Sequence, residues 1–222
     1  AKNMALQRIV LSGDHITKVG IDQLTMALMS NQSLVELRLD HCEGLEDRAV
    51  KSLCNGILLK GNLEILSLKY CSFGSTGAAH LARLLKAGPG ESALKSLLIE
   101  GNGILPGGLV ALAEGVAKTL TLKELNLRGC EIGDPYDPSK FEAIRGMVRE
   151  AFESFIQAIA ANREICAKVN ASGSYDEISP LEHVDLQDNI LNKEVAEMLA
   201  RMITAVDGCA VTTLKVDIST PL

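Results

Sequence analysis

The chain has 222 residues, 47% hydrophobic and 23% charged, an ordinary balance for a soluble protein, with no run near the roughly 20 apolar residues of a membrane span. A net charge of −6, a pI near 5.3 and only 3% aromatic residues argue against a basic, stacking surface, so neither nucleic acid nor a membrane is expected as a partner. The six cysteines form no C-x-x-C pair, which speaks against zinc and for free thiols in a reducing, cytoplasmic compartment. No secretory signal is visible, and a start at Ala1 leads us to expect a chain processed or cut from a larger protein.

In chain order, one frame recurs: Leu6, Ile9, Leu11, Asp14; Leu34, Leu37, Leu39, Cys42; Leu63, Leu66, Leu68, Cys71; Leu94, Leu97, Ile99, Asn102; Leu122, Leu125, Leu127, Cys130; Leu181, Val184, Leu186, Asn189; and a degraded Val211, Leu214, Val216, Ser219. Successive frames start 28, 29, 31, 28, 59 and 30 residues apart. The period of two inside each frame predicts a short strand with its leucines on one side. Leu24, Leu53, Leu81, Leu112 and Leu199 follow 18 or 19 residues after their frame starts, with Leu28, Ile57, Leu85, Val116 and Ile203 one turn further, so each unit ends in a helix. Four residues before those leucines stand Gly20, Ala49, Gly77 and Gly108, with Val195 the exception, and the small residues imply close packing of helix on strand.

A strand-helix unit cannot bury its leucine face alone. Stacked units are expected to form an α/β horseshoe over 1–222, six to seven units in one domain, with a curved parallel sheet on the concave side and helices on the convex side. The ninth frame residue follows the strand, where a small buried polar group can satisfy loop backbone, so Cys42, Cys71, Asn102, Cys130 and Asn189 are assigned a structural role. Neither end carries a polar capping unit, which predicts self-association through the ends.

The L-x-x-L-x-L-x-x-N/C frame in units of 28 to 31 residues with a full helix resembles the ribonuclease-inhibitor-like leucine-rich repeats, and the resemblance covers nearly the whole chain. It implies the horseshoe fold and a protein-binding role. The same subclass occurs in NOD-like receptor sensor domains, Ran GTPase-activating protein, tropomodulin-like actin regulators and axonemal proteins, so the fold does not choose among them.

The residues offer little chemistry. The four histidines, His15, His41, His80 and His183, lack a ligand spacing, and His41 and His183 stand four strands apart, roughly 19 Å at 4.8 Å per strand. The glycine-rich stretch 101–108 lacks the Lys-Ser/Thr of a phosphate loop and falls at an ordinary turn. No nucleophile stands beside a general base in any recognisable pattern, so no catalysis, cofactor or metal is expected. The concave rows are Arg8, Glu36, Ile65, Ser96, Glu124, His183 and Thr213; Val10, Arg38, Ser67, Leu98, Asn126, Asp185 and Lys215; Ser12, Asp40, Lys69, Glu100, Arg128, Gln187 and Asp217. Asp40, Lys69, Glu100 and Arg128 alternate in sign and can neutralise one another. Ile65 and Leu98, apolar on a face expected to be wet, can seed a protein contact with Val10 and Tyr70.

The 59-residue interval after Leu122 is either two units, the first with a degraded strand at Asn162, Ile165, Ala167 and Asn170, or one unit with an insertion at about 134–180. The first reading leaves 19 residues before Leu181, too few for strand, turn and helix, so insertion is expected. Ser139 and Glu142 form a capping box, and helical spacing through Phe141, Ile144, Val148, Phe152, Phe155 and Ile159 predicts a helix over 139–162. Sister helices cover only its half from Phe152 onward. The first half either presents Phe141, Ile144, Val148 and Phe152 to a partner or packs back on the loop 163–180. The whole reads as a non-catalytic scaffold or adaptor domain of a larger intracellular protein, cytoskeletal, axonemal or signalling; the alternatives are a small-GTPase regulator resembling Ran GTPase-activating protein and a ligand sensor resembling NOD-like receptors.

Overall fold

The computed structural model describes residues 5–13, 16–42, 44–88, 90–134, 141–173, 178–204 and 210–217. Asp14, Ser139 and Ser219 lie outside them, and so do the capping box and the side chain of Phe141. Strands of three residues alternate with helices: β1 (Arg8–Val10), α1 (Lys18–Ser30), β2 (Glu36–Arg38), α2 (Asp47–Lys60), β3 (Ile65–Ser67), α3 (Ser75–Leu85), β4 (Ser96–Leu98), α4 (Leu105–Val116), β5 (Glu124–Asn126), α5 (Phe141–Ser172), β6 (His183–Asp185), α6 (Lys193–Thr204) and β7 (Thr213–Lys215). The strands form one parallel sheet in chain order. The frame dictates this order, because each unit hides its leucines only against the unit before and after it.

The register follows the frame position by position, as in Arg8, Glu36, Ile65, Ser96, Glu124, His183 and Thr213. Between those rows Leu37, Leu66, Leu97, Leu125 and Val184 point to the helices and are buried, each contributing about 1.5–3 kcal/mol by leaving water. The eighth frame residue turns the chain out of the strand in the left-handed region. It does so at Gly101 and Gly129, where glycine fits, and also at His41, Tyr70 and Asp188.

The ninth residue behaves as assigned. The Asn102 amide donates to the Leu68 and Ile99 carbonyls at 2.8 Å, and its oxygen accepts from the Cys71 N–H at 2.9 Å. Asn189 repeats this with Leu127, Leu186 and Cys130 at 2.8–2.9 Å. The Cys71 thiol donates to the Leu39 carbonyl at 3.0 Å and that of Cys130 to Ile99 at 3.3 Å. From Cys71 to Asn189, thiol and carboxamide alternate along one buried rail that begins at Cys42. Small residues act in helix packing as well: a Cβ on Gly115 of α4 would come within 2.9 Å of the Ala82 carbonyl of α3, so glycine there sets the distance between the two helices.

The inserted helix departs from expectation. It spans 32 residues, roughly 48 Å, and runs through the segment that the two-unit reading makes a strand. Val148, Ala151, Phe152, Phe155, Ala158, Ile159, Asn162 and Cys166 are buried, and Ile144 packs partly against the core. Its first half therefore packs on the core, with Arg145 and Arg149 reaching Glu194 of α6, instead of projecting, and the stretch 163–172 is helix, not loop. The cause is the i, i+4, i+7 spacing, which continues the apolar stripe from Phe152 back to Ile144 without a break. The exposed surplus is at the far end, where Ala167, Lys168, Asn170, Ala171 and Ser172 face solvent. Ile203, expected inside, is exposed as well.

Candidate interaction surface

The concave rows, built from alternate strand residues, end as a face closed in the middle and open at both ends. Side chains on a concave sheet converge, and in β2 to β4 they cover one another: Glu36, Ser67, Ser96 and Leu98 are buried, the last 8% exposed, and Ile65 is half-buried. Leu98 and Ile65 are thus less wet than their row implies. Val10 and Tyr70 remain open, at 56% and 43%.

At the β1–β2 end the Glu36 carboxylate sits between two guanidinium groups, Arg8 Nε at 2.5 Å and Arg38 Nε at 2.6 Å. The Arg38 bond holds its pKa below the ordinary carboxylate value against the effect of burial, with Arg8 adding to it. Of the alternating row, Lys69 and Glu100 pair at 3.1 Å as expected. Asp40 instead accepts from the Ser67 hydroxyl at 2.6 Å and the Lys69 N–H at 3.0 Å, and Arg128 turns to Asp188 at 2.6 Å. Asp188, in the turn that follows the neighbouring strand β6, is the carboxylate that Arg128 reaches, while Glu100 on the other side is held by Lys69 and Tyr70.

Tyr70 is exposed on the rim and yet held in place. Its ring stacks on His41, with centroids 4.8 Å apart and planes 9° from parallel, and its hydroxyl donates to Glu100 at 2.7 Å. A Cβ on Gly101 would fall 2.2 Å from the ring, so glycine makes room for it. The bond to Glu100 pushes the Tyr70 pKa up, helped by burial. For Glu100, burial pushes the pKa up but is outweighed by the bonds from Tyr70 and Lys69, so it lies below the ordinary value.

The β5–β7 end holds an open groove of about 220 Å³ lined by Glu124, Asn126, His183, Asp185, Thr213 and Lys215. Ser96 donates to Glu124 at 2.5 Å, and Lys215 lies 3.5 Å from Asp185. The sequence places each of these residues in a row but gives no sign that the face opens here and closes at Leu98. That depends on curvature and on the bulk of neighbouring side chains. Val148 and Phe152, in the core, leave the candidate interface, and Ile144 is largely covered.

A curved parallel sheet with a row of helices behind it and an accessible concave rim defines a protein-interaction solenoid. A leucine-rich-repeat family model matches residues 30–54 and 120–135. Ribonuclease inhibitor from Sus scrofa is 32% identical over 56% of this chain and 27% of its own length. NACHT, LRR and PYD domains-containing protein 5 from Homo sapiens is 28% identical over 72% of this chain and 12% of its own. The chain thus spans about a quarter or less of the relatives it matches. The tropomodulin C-terminal domain of Caenorhabditis elegans superposes with a TM-score of 0.57 over 82% of this chain and 90% of that domain at 14% identity, a likeness of fold. The repeat match and these relatives make the chain similar to the ribonuclease-inhibitor-like leucine-rich-repeat proteins.

Proposed function

We propose that this chain is a non-catalytic scaffold or adaptor module of a larger cytoplasmic protein, and that it binds its protein partner on the concave rim. The observation that carries the reading is Tyr70, exposed yet held on three sides by His41, Glu100 and Gly101. An aromatic residue fixed before binding loses little side-chain entropy on docking, which is the property of interface anchors. The resemblance of the fold to a tropomodulin domain supports a cytoskeletal setting among the candidate assemblies.

Affinity capture with the purified chain and with Tyr70→Ala and Arg163→Glu variants tests this. Tyr70→Ala should lose the captured proteins, whereas Arg163→Glu, on the exposed side of α5, should retain them. Loss with Arg163→Glu alone puts the interface on the helices. A GTP hydrolysis assay with candidate small GTPases separates the regulator reading, which requires stimulated turnover.

A further inference from the structure

We propose that the groove across β5, β6 and β7 receives a lysine or arginine side chain from an extended basic segment of a partner protein. The inference rests on the reading of the concave side as the docking face. The groove lies between two rows in register, Glu124, His183 and Thr213 on one side, Asn126, Asp185 and Lys215 on the other. Three strands at about 4.8 Å make it roughly 10 Å long. Its volume of about 220 Å³ is below the roughly 300–1,000 Å³ of pockets that hold whole small molecules, and suits one long side chain.

The charges favour a cation. The groove is lined by two carboxylates, Glu124 and Asp185, against one ammonium, Lys215, with the His183 ring beside them, while Arg128, Asp188 and Asp217 stand outside its lining. Arg128 is taken by Asp188 at 2.6 Å, and Lys215 is 58% exposed and 3.5 Å from Asp185, a contact loose enough to swing aside. Glu124 accepts from the Ser96 hydroxyl through Oε2 alone, which aims one oxygen and leaves the other, Oε1, for a ligand. Buried Leu98, beside Asn126 in the register, closes the face at the β4 end and so bounds the groove there. The opposite end of the face, with Arg8 and Arg38 around Glu36, lacks this surplus of carboxylate.

The test is fluorescence anisotropy with three labelled Gly/Ser nonapeptides, one carrying three arginines, one three glutamates and one none, at low and physiological salt. The arginine peptide should bind, weaken as salt rises, and lose about tenfold on the double change Glu124→Gln and Asp185→Asn, with unchanged circular dichroism. Lys215→Glu, at an exposed position, should tighten it severalfold and serves if the double variant does not fold. Equal or better binding of the glutamate peptide, or indifference to both variants, overturns the proposal. If Glu124→Gln with Asp185→Asn still captures the partner while Tyr70→Ala does not, the concave reading stands and the groove proposal fails. Capture abolished by Arg163→Glu alone removes both.

Discussion

The units built on α4 and α5 enter the same sheet in the same register, yet their helices have 12 and 32 residues. Across the insertion Leu127 donates to the Asp185 carbonyl at 2.8 Å and Gly129 to Gln187 at 2.9 Å, just as Tyr70 donates to Glu100 and Gly101 to Arg128 at 2.8 Å in the regular units. The sheet is indifferent to the length of what lies behind it. Strand pairing is set by nine residues, and an insertion is tolerated as long as its helix keeps an apolar stripe that the neighbouring helices can cover.

The largest test of that view is Phe155→Ala. The side chain is fully buried between α5 and the core, so its loss should cost about 3–5 kcal/mol in urea unfolding, while Met147→Ala, on the exposed face, should stay within about 0.5 kcal/mol. A silent Phe155→Ala would mean that the inserted helix is an appendage and that its packing contributes nothing.

Next in size is Asn189→Ala, which leaves the Cys130 N–H and the Leu127 and Leu186 carbonyls without their partner across the insertion. Buried groups left unpaired cost about 1–3 kcal/mol each, without full additivity, so about 3 kcal/mol is expected, matched by Asn102→Ala in the regular part. If Asn189→Ala costs much less than Asn102→Ala, the insertion has loosened the rail and the two regions are not equivalent.

The frame made the strands, their order and their register legible, because Leu37, Leu66, Leu97 and Leu125 alternate with residues that only a concave face can accept. The buried role of Asn102 and Cys71 was legible for the same reason: one position, repeated, with small polar or thiol groups. The course of α5 was not. Its stripe from Ile144 to Cys166 is written in the sequence, but against sister helices expected at about 12 to 14 residues the first half had to project or fold over an edge. A long helix can seat its first half on its neighbours and overhang at its far end, and spacing alone does not report which half is covered. Nor does any row say that Leu98 closes the face and His183 opens it, since that follows from the curvature.

The rail itself offers a smaller contrast. Burial pushes the thiols of Cys71 and Cys130 up to about 12, which keeps them protonated as donors to the Leu39 and Ile99 carbonyls. Cys71→Ser preserves a donor and should cost less than about 1 kcal/mol, whereas Cys71→Leu overfills the turn and should cost about 1–3 kcal/mol. Native Cys71 should react with a disulfide reagent only after unfolding. Fast modification of the folded chain would show that this part of the rail opens.

The smallest effect expected is in acid, and it belongs to the regular half of the face. Glu36 and Glu100, on β2 and just after β4, both have pKa values lowered in the folded chain. A depressed carboxylate adds stability that is present above its unfolded value, about 4.3 for glutamate, and is lost as pH falls through the lower folded value. Unfolding free energy should therefore decline below about pH 4.5, and Glu36→Gln should make the decline shallower. The difference should be slight, because Arg8 is 70% exposed and such pairs are worth about 0–1 kcal/mol. Hydrogen exchange at pH 3 locates it: amides of β2 and β4 should lose protection before those of β6. Equal loss along the sheet, or an identical acid slope in Glu36→Gln, would mean that these ion pairs do not distinguish the two halves of the face.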